Sequence, residues 1–325
     1  MHPAEYWKTV GEFIHCELCP HRCRIRDRQT GRCGVRRHIQ GRLVAEAYGL
    51  VSAQALDPVE KKPLFHVKPG REIFSLGSGG CNFLCPFCQN WTISQSVPPM
   101  LPLLPEKAAQ AAVGEKACGV AYTYNEPIVN FEYVRDCALE VHRAGLLNVM
   151  VTNGYINPEP LRALLPLIDA WNIDVKSIRP EFYRRFCGGE LKPVLATVAA
   201  AAEAAHVELT HLIVTDANDR ENDLEALVGW VASVSPEIPL HFSRYFPQYQ
   251  WEASATSQQI MQRALVIGRK QLAWVYAGNF PGQDDSTYCP DCGNRLIPRQ
   301  GYLAGAVKVV DGHCPQCGRK VPGIF

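Results

Sequence analysis

From Arg71 to Tyr276, short runs rich in Val, Ile and aromatic residues alternate with longer stretches of helical apolar spacing, and that order leaves few folds open. The runs predict strands over Glu72–Leu76, Val120–Tyr124, Asn148–Thr152, Trp171–Asp174, Val207–Val214, Leu240–Ser243 and Leu272–Tyr276. The stretches between them predict helices over Glu106–Lys116, Ile128–Ala144, Glu159–Leu167, Leu191–Ala204, Asn222–Val234 and Ser257–Arg269. Repeated strand–helix units cover both faces of a parallel sheet, so the chain is α/β. The strands run into polar or Gly-containing segments: Gly79-Gly80-Cys81, Asn125-Glu126-Pro127, Asn153-Gly154, Asp174-Val175-Lys176 and Asp216-Ala217-Asn218-Asp219. In a β/α barrel such segments form the loops at the carboxyl ends of the strands, where active sites are assembled. Six or seven units predict a partial (β/α)6-type TIM barrel, with a doubly wound open sheet as the alternative.

The charge balance is close to neutral, with 33 Lys and Arg against 32 Asp and Glu, so electrostatics give no reason to expect nucleic acid. No apolar run is long enough to cross a bilayer, and Met1 to Cys16 carries Glu5, Lys8, Glu12 and His15 in place of a signal-peptide core. We therefore expect a cytoplasmic protein without membrane contact. Thiols stay reduced there, so 14 cysteines point to metal or redox chemistry before disulfides. They are clustered at Cys16–Cys33, Cys81–Cys88 and Cys289–Cys317, while Cys118, Cys137 and Cys187 stand apart and are expected to pack as small apolar residues. Residues 1–45 and 285–325 read as small Cys-rich terminal modules on a barrel of residues 46–284.

Cys81, Cys85 and Cys88 stand in one loop directly after a strand. Iron–sulfur clusters ordinarily take four cysteines, so three leave one iron of a cubane open, as a reactive cluster needs. A zinc site borrowing a distant fourth ligand is the plainer alternative. The CxxxCxxC spacing with Phe87 before the last cysteine resembles the signature of the radical S-adenosylmethionine (radical SAM) superfamily. Phe65-His66, Cys88-Gln89-Asn90-Trp91, Tyr122 to Pro127, Thr152-Asn153-Gly154 and Asp174-Val175-Lys176 look like the group related to pyruvate formate-lyase activating enzyme. With its cysteine-rich start and end, the chain is similar to the radical enzyme of the AmmeMemoRadiSam system.

The resemblance implies a [4Fe–4S] cluster on Cys81, Cys85 and Cys88, with S-adenosylmethionine chelating the open iron and Phe87 packing near its adenine. Reductive cleavage would then give a 5'-deoxyadenosyl radical that abstracts hydrogen from a protein or small-molecule substrate. The electron would come from an external donor of the flavodoxin or ferredoxin class.

Asn125-Glu126 stands where the superfamily carries Gly-Gly-Glu, which implies that Glu126 accepts a hydrogen bond from the cofactor ammonium; capping the helix after Pro127 is its ordinary role. The literal Gly188-Gly189-Glu190 follows a helix and reads as a turn. Asn153 and Gly154 suit a close backbone approach to the cofactor or a tight turn. Asp174 and Lys176 share one side of their strand, as a buried ion pair or as cofactor contacts. His241 is a candidate for ligand contact or proton transfer, or a structural histidine. Val151 and Asp216-Ala217 depart from the activating enzymes, which carry an acidic residue and Pro-Gly there.

Cys289, Cys292, Cys314 and Cys317 form two CxxC knuckles, each followed by Gly, a spacing that predicts zinc. Cys16, Cys19, Cys23 and Cys33 accept either zinc or an auxiliary iron–sulfur cluster, and six nearby arginines favour zinc. A noncatalytic zinc-dependent nucleic-acid-binding protein is the reading from another class; the open-iron triad and the polar strand ends weigh against it.

Overall fold

The computed structural model describes residues 1–96 and 98–325. Its centre is one sheet of eight strands: β1 Ala53–Pro58, β2 Glu72–Gly77, β3 Gly119–Tyr122, β4 Leu147–Thr152, β5 Ala170–Asp174, β6 His206–Ile213, β7 Leu240–Arg244 and β8 Val275–Gly278. They lie in sequence order, β2 to β8 parallel and β1 antiparallel on the edge beside β2. The outer strands β1 and β8 do not pair with each other, so the barrel is partial and open on one side.

The crossover helices are α1 Pro105–Gly114, α2 Phe131–Arg143, α3 Pro158–Leu164, α4 Leu191–Ala204, α5 Glu221–Val234 and α6 Gln258–Arg269. Parallel strands covered on both faces read as continuous apolar runs, and the first four residues of β5 are all buried. Among the described residues, no helix is long and apolar enough to cross a membrane.

Two boundaries differ from expectation for visible reasons. Strand β8 starts at Val275 because Gln271 N and Leu272 N still donate to Gly268 O, at 3.2 and 3.0 Å, and so close α6. The helix expected from Ile128 opens instead with a 3₁₀ turn over Pro127–Asn130, whose first free amide, Ile128 N, donates to the Glu126 carboxylate at 3.0 Å.

The N-terminal residues do not form a core of their own. Ile14, Leu18, Ile25 and Leu43 pack into the same apolar cluster as the barrel. Buried Arg36 makes a two-pronged ion pair with buried Glu132 of α2, both contacts at 2.9 Å. The C-terminal segment has a separate small cluster, in which Leu296, Ile297 and Val321 pack on Trp274, Tyr276 and Phe65. It covers the end of the barrel where the strands begin: Glu237, three residues before β7, receives both Trp274 Nε1 at 3.1 Å and Arg319 at 2.7 Å.

Candidate active site

The carboxyl ends of the strands surround a cavity of about 250 Å³, walled by Cys81, Cys85, Cys88, Phe87, Asn125, Glu126, Asn153, Asp174 and Lys176. The loop after β2 carries the thiols, and Asn125 fastens that loop. Its Oδ1 accepts from Ser78 N at 2.9 Å, while its Nδ2 donates to the carbonyls of Gly79 and Gly80 at 3.1 and 2.9 Å.

Glu126 is buried at the head of α2's 3₁₀ turn. One oxygen accepts from Ile128 N at 3.0 Å and Thr152 Oγ1 at 2.6 Å, the other from Asn153 N at 2.7 Å. Burial nevertheless prevails over these donors and pushes its carboxyl up to about 7. Asn153 also donates from Nδ2 to Asn82 Oδ1 at 2.8 Å and faces Cys81 Sγ at 3.8 Å, which also accepts from Phe83 N at 3.4 Å.

Lys176 and Asp174 form an ion pair of 3.0 Å in the wall. Burial opposes the Lys176 charge, but Asp174 and Cys85 outweigh it and hold the ammonium well above its ordinary range. The Cys187 thiol and the Lys176 ammonium lower Cys85, whereas burial pushes Cys81 and Cys88 up. Phe87 is buried in the wall, its ring 5.8 Å from that of Phe182.

Residues 76–231 match the sequence profile of the Radical SAM superfamily. The uncharacterised protein MJ0808 of Methanocaldococcus jannaschii is 40% identical over 97% of this chain and 97% of its own length. The chain belongs to the radical SAM superfamily. Among solved structures, a radical SAM methyltransferase from Sphaerobacter thermophilus has a TM-score of 0.51 at 12% identity, covering 64% of this chain and 66% of its own. Streptococcus suis SuiB, solved with S-adenosylmethionine bound, has a TM-score of 0.50 at 11% identity, covering 62% of this chain and 48% of its own. These two likenesses concern the fold.

Membership of the radical SAM superfamily implies a [4Fe–4S] cluster and S-adenosylmethionine, and the residues present fit both. Amide donors face the Cys81 sulfur, an ammonium flanks Cys85, and a buried carboxylate, Glu126, stands beside the thiols for a cationic group.

Two expected site residues lie elsewhere in this radical SAM protein. His241 sits near the start of β7, below the cavity, where its Nε2 donates to Glu208 Oε2 at 2.6 Å. Buried Glu208 also accepts from Phe65 N at 3.0 Å, His66 N at 2.7 Å and His206 at 3.2 Å, which closes the barrel floor. Gly154 turns away toward α4: a Cβ there would lie 3.0 Å from Ile173 and 3.5 Å from Val194, and its φ is +69°, so it serves the turn and close packing.

Sequence reasoning gave Tyr124 no site role and expected Cys187 only to pack as a small apolar residue, which its burial bears out. Tyr124 lines the cavity with φ +72° and donates to Asp57 at 2.5 Å, and Asp57 in turn receives Lys62 at 2.7 Å. Cys187 is buried against Cys85. Nothing in its position along the chain announces that contact, which arises where the loop after β5 folds over the cysteine loop and Leu84 N donates to Cys187 O at 3.0 Å.

At the C-terminus Cys289 Sγ and Cys317 Sγ are 3.5 Å apart, Cys292 Sγ and Cys314 Sγ 3.7 Å, and all four sulfurs lie within 4.8 Å of one another. Gly293 N and Gly318 N each close a knuckle on the carbonyl of Cys289 or Cys314 at 2.9 Å. This set can hold one metal ion.

Proposed function

We propose that the chain reductively cleaves S-adenosylmethionine at a [4Fe–4S] cluster on Cys81, Cys85 and Cys88 and abstracts hydrogen from a residue of a partner protein, like a glycyl-radical activase. The observation that carries the reading is the buried Glu126 carboxylate beside three thiols, in a cavity at the strand ends of an open-sided barrel. When bound, cluster and cofactor supply a carbon radical that the protein alone cannot generate.

Glu126 receives the cofactor ammonium, Asn153 orients the rim, Phe87 packs the adenine side, and the Asp174–Lys176 pair meets the cofactor's polar groups. An external donor of the flavodoxin or ferredoxin class provides the electron, in the reducing cytoplasm. The compact C-terminal thiol set takes zinc, since Zn–S bonds of about 2.3 Å place tetrahedral sulfurs roughly 3.8 Å apart.

Isotope transfer tests the substrate. Fully deuterated cell extract is split into protein and small-molecule fractions, each incubated with reduced enzyme and unlabelled S-adenosylmethionine, and 5'-deoxyadenosine is examined for deuterium. Label from the protein fraction supports the activase reading. Label from the small-molecule fraction alone overturns it in favour of small-molecule modification.

A further inference from the structure

The four N-terminal cysteines face one another. Cys16 ends the strand Phe13–Cys16, Cys23 precedes the partner strand Arg24–Ile25, and Cys16 N donates to Cys23 O at 3.0 Å. The 31–33 turn lies against Cys23, whose Sγ accepts from Arg32 N at 3.4 Å. Cys19 and Cys33 each lie within electrostatic range of both Cys16 and Cys23. All four thiols therefore surround one volume.

The spacing of that set distinguishes it from the C-terminal one. Among the described residues, only the C-terminal thiols gather within 4.8 Å, the size of a single tetrahedral ion. Neither the N-terminal thiols nor Cys81, Cys85 and Cys88 form such a group. The N-terminal set is thus spread like the triad that takes a cubane, in which each thiolate binds a different iron. A buried donor also waits there. Arg36 uses its two terminal nitrogens on Glu132, while its Nε is buried with no hydrogen-bond partner among the described residues, and the guanidinium lies within electrostatic range of Cys16 and Cys33. Sulfur acceptors of an anionic cluster would satisfy it.

We propose that Cys16, Cys19, Cys23 and Cys33 bind a second, auxiliary [4Fe–4S] cluster, and that zinc is confined to the C-terminal set. The site adjoins the radical centre. Cys33 and Cys81 wall a common cavity, the Cys33 carbonyl lies 2.3 Å from where a Cβ on Gly80 would stand, and His21 Nε2 donates to Asn82 O at 2.7 Å.

The whole chain is reconstituted anaerobically with iron and sulfide, and metals are counted in the wild type, in a Cys81→Ala, Cys85→Ala, Cys88→Ala variant and in a Cys16→Ala, Cys19→Ala variant. We expect about eight irons and one zinc in the wild type and about four irons in each variant. Electron paramagnetic resonance of the dithionite-reduced wild type should show a spectrum broadened by coupling of two adjacent clusters, which is lost in both variants. Wild type with about four irons and two zincs overturns the proposal, and this count needs no variant to fold. A failure of the Cys81 reading looks different: the Cys16→Ala, Cys19→Ala variant would then be left without cluster iron.

Discussion

Glu126 combines two demands in one carboxylate. It caps a helical turn and holds Asn153, yet it is buried deeply enough that its proton leaves only near pH 7. A cationic ammonium binds the ionised form, so cofactor affinity should rise about tenfold per pH unit below about 7 and level off above it, as equilibrium binding across that range would show. Apo stability should run the other way. The folded carboxyl holds its proton more tightly than the unfolded one, so its contribution is greatest below the unfolded value and is lost as pH rises through about 7.

Glu126→Gln should abolish the pH dependence of binding. It should also cost about 1–3 kcal/mol of stability, because an amide NH₂ must face the N–H of Ile128 or Asn153. His241→Gln should lower stability by about 2 kcal/mol, measured by denaturant, with cofactor affinity unchanged, since His241 serves Glu208 on the floor. Side chains alternate along β7, so His241 and Ser243 share a side, but alternation does not say in which layer along the axis a side chain lies, and of the two Ser243 reaches the cavity.

At the scale of elements, the seven parallel strands were legible because both faces are buried and their Val, Ile and aromatic runs are dense. Strand β1 was not. Ala53–Pro58 has no β-branched residue and ends in proline, so its identity as a strand comes from pairing with β2 across six residues. That Cys81, Cys85 and Cys88 share one loop was legible from their spacing, whereas the places of Tyr124 and Cys187 depend on where two loops cross. The C-terminal knuckles make a further test. Cys289→Ser with Cys314→Ser should remove the metal proposed for this site and increase solvent quenching of buried Trp274, which packs against this segment, while far-ultraviolet circular dichroism of the barrel stays near wild type.

For the whole molecule, the N-terminal residues complete the barrel's own core, and the cysteines they carry are held near the Cys81 loop by that packing. Arg36→Ala would leave Glu132 charged and buried and should cost about 3–5 kcal/mol, read as a lower denaturation midpoint. The floor of the barrel joins parts of the chain that are made at very different times. His66 O accepts from Ile324 N at 2.8 Å, Lys68 N donates to Ile324 O at 2.6 Å, and Arg299 reaches the Phe65 carbonyl. His66 Nδ1 meets Pro322 O across 256 positions of sequence. During synthesis at roughly 5–20 residues per second, the segment around His66 must wait on the order of tens of seconds for its partner. A nascent chain stalled on the ribosome after residue 284 should therefore be cut readily by protease around Val67, and one released at full length should resist.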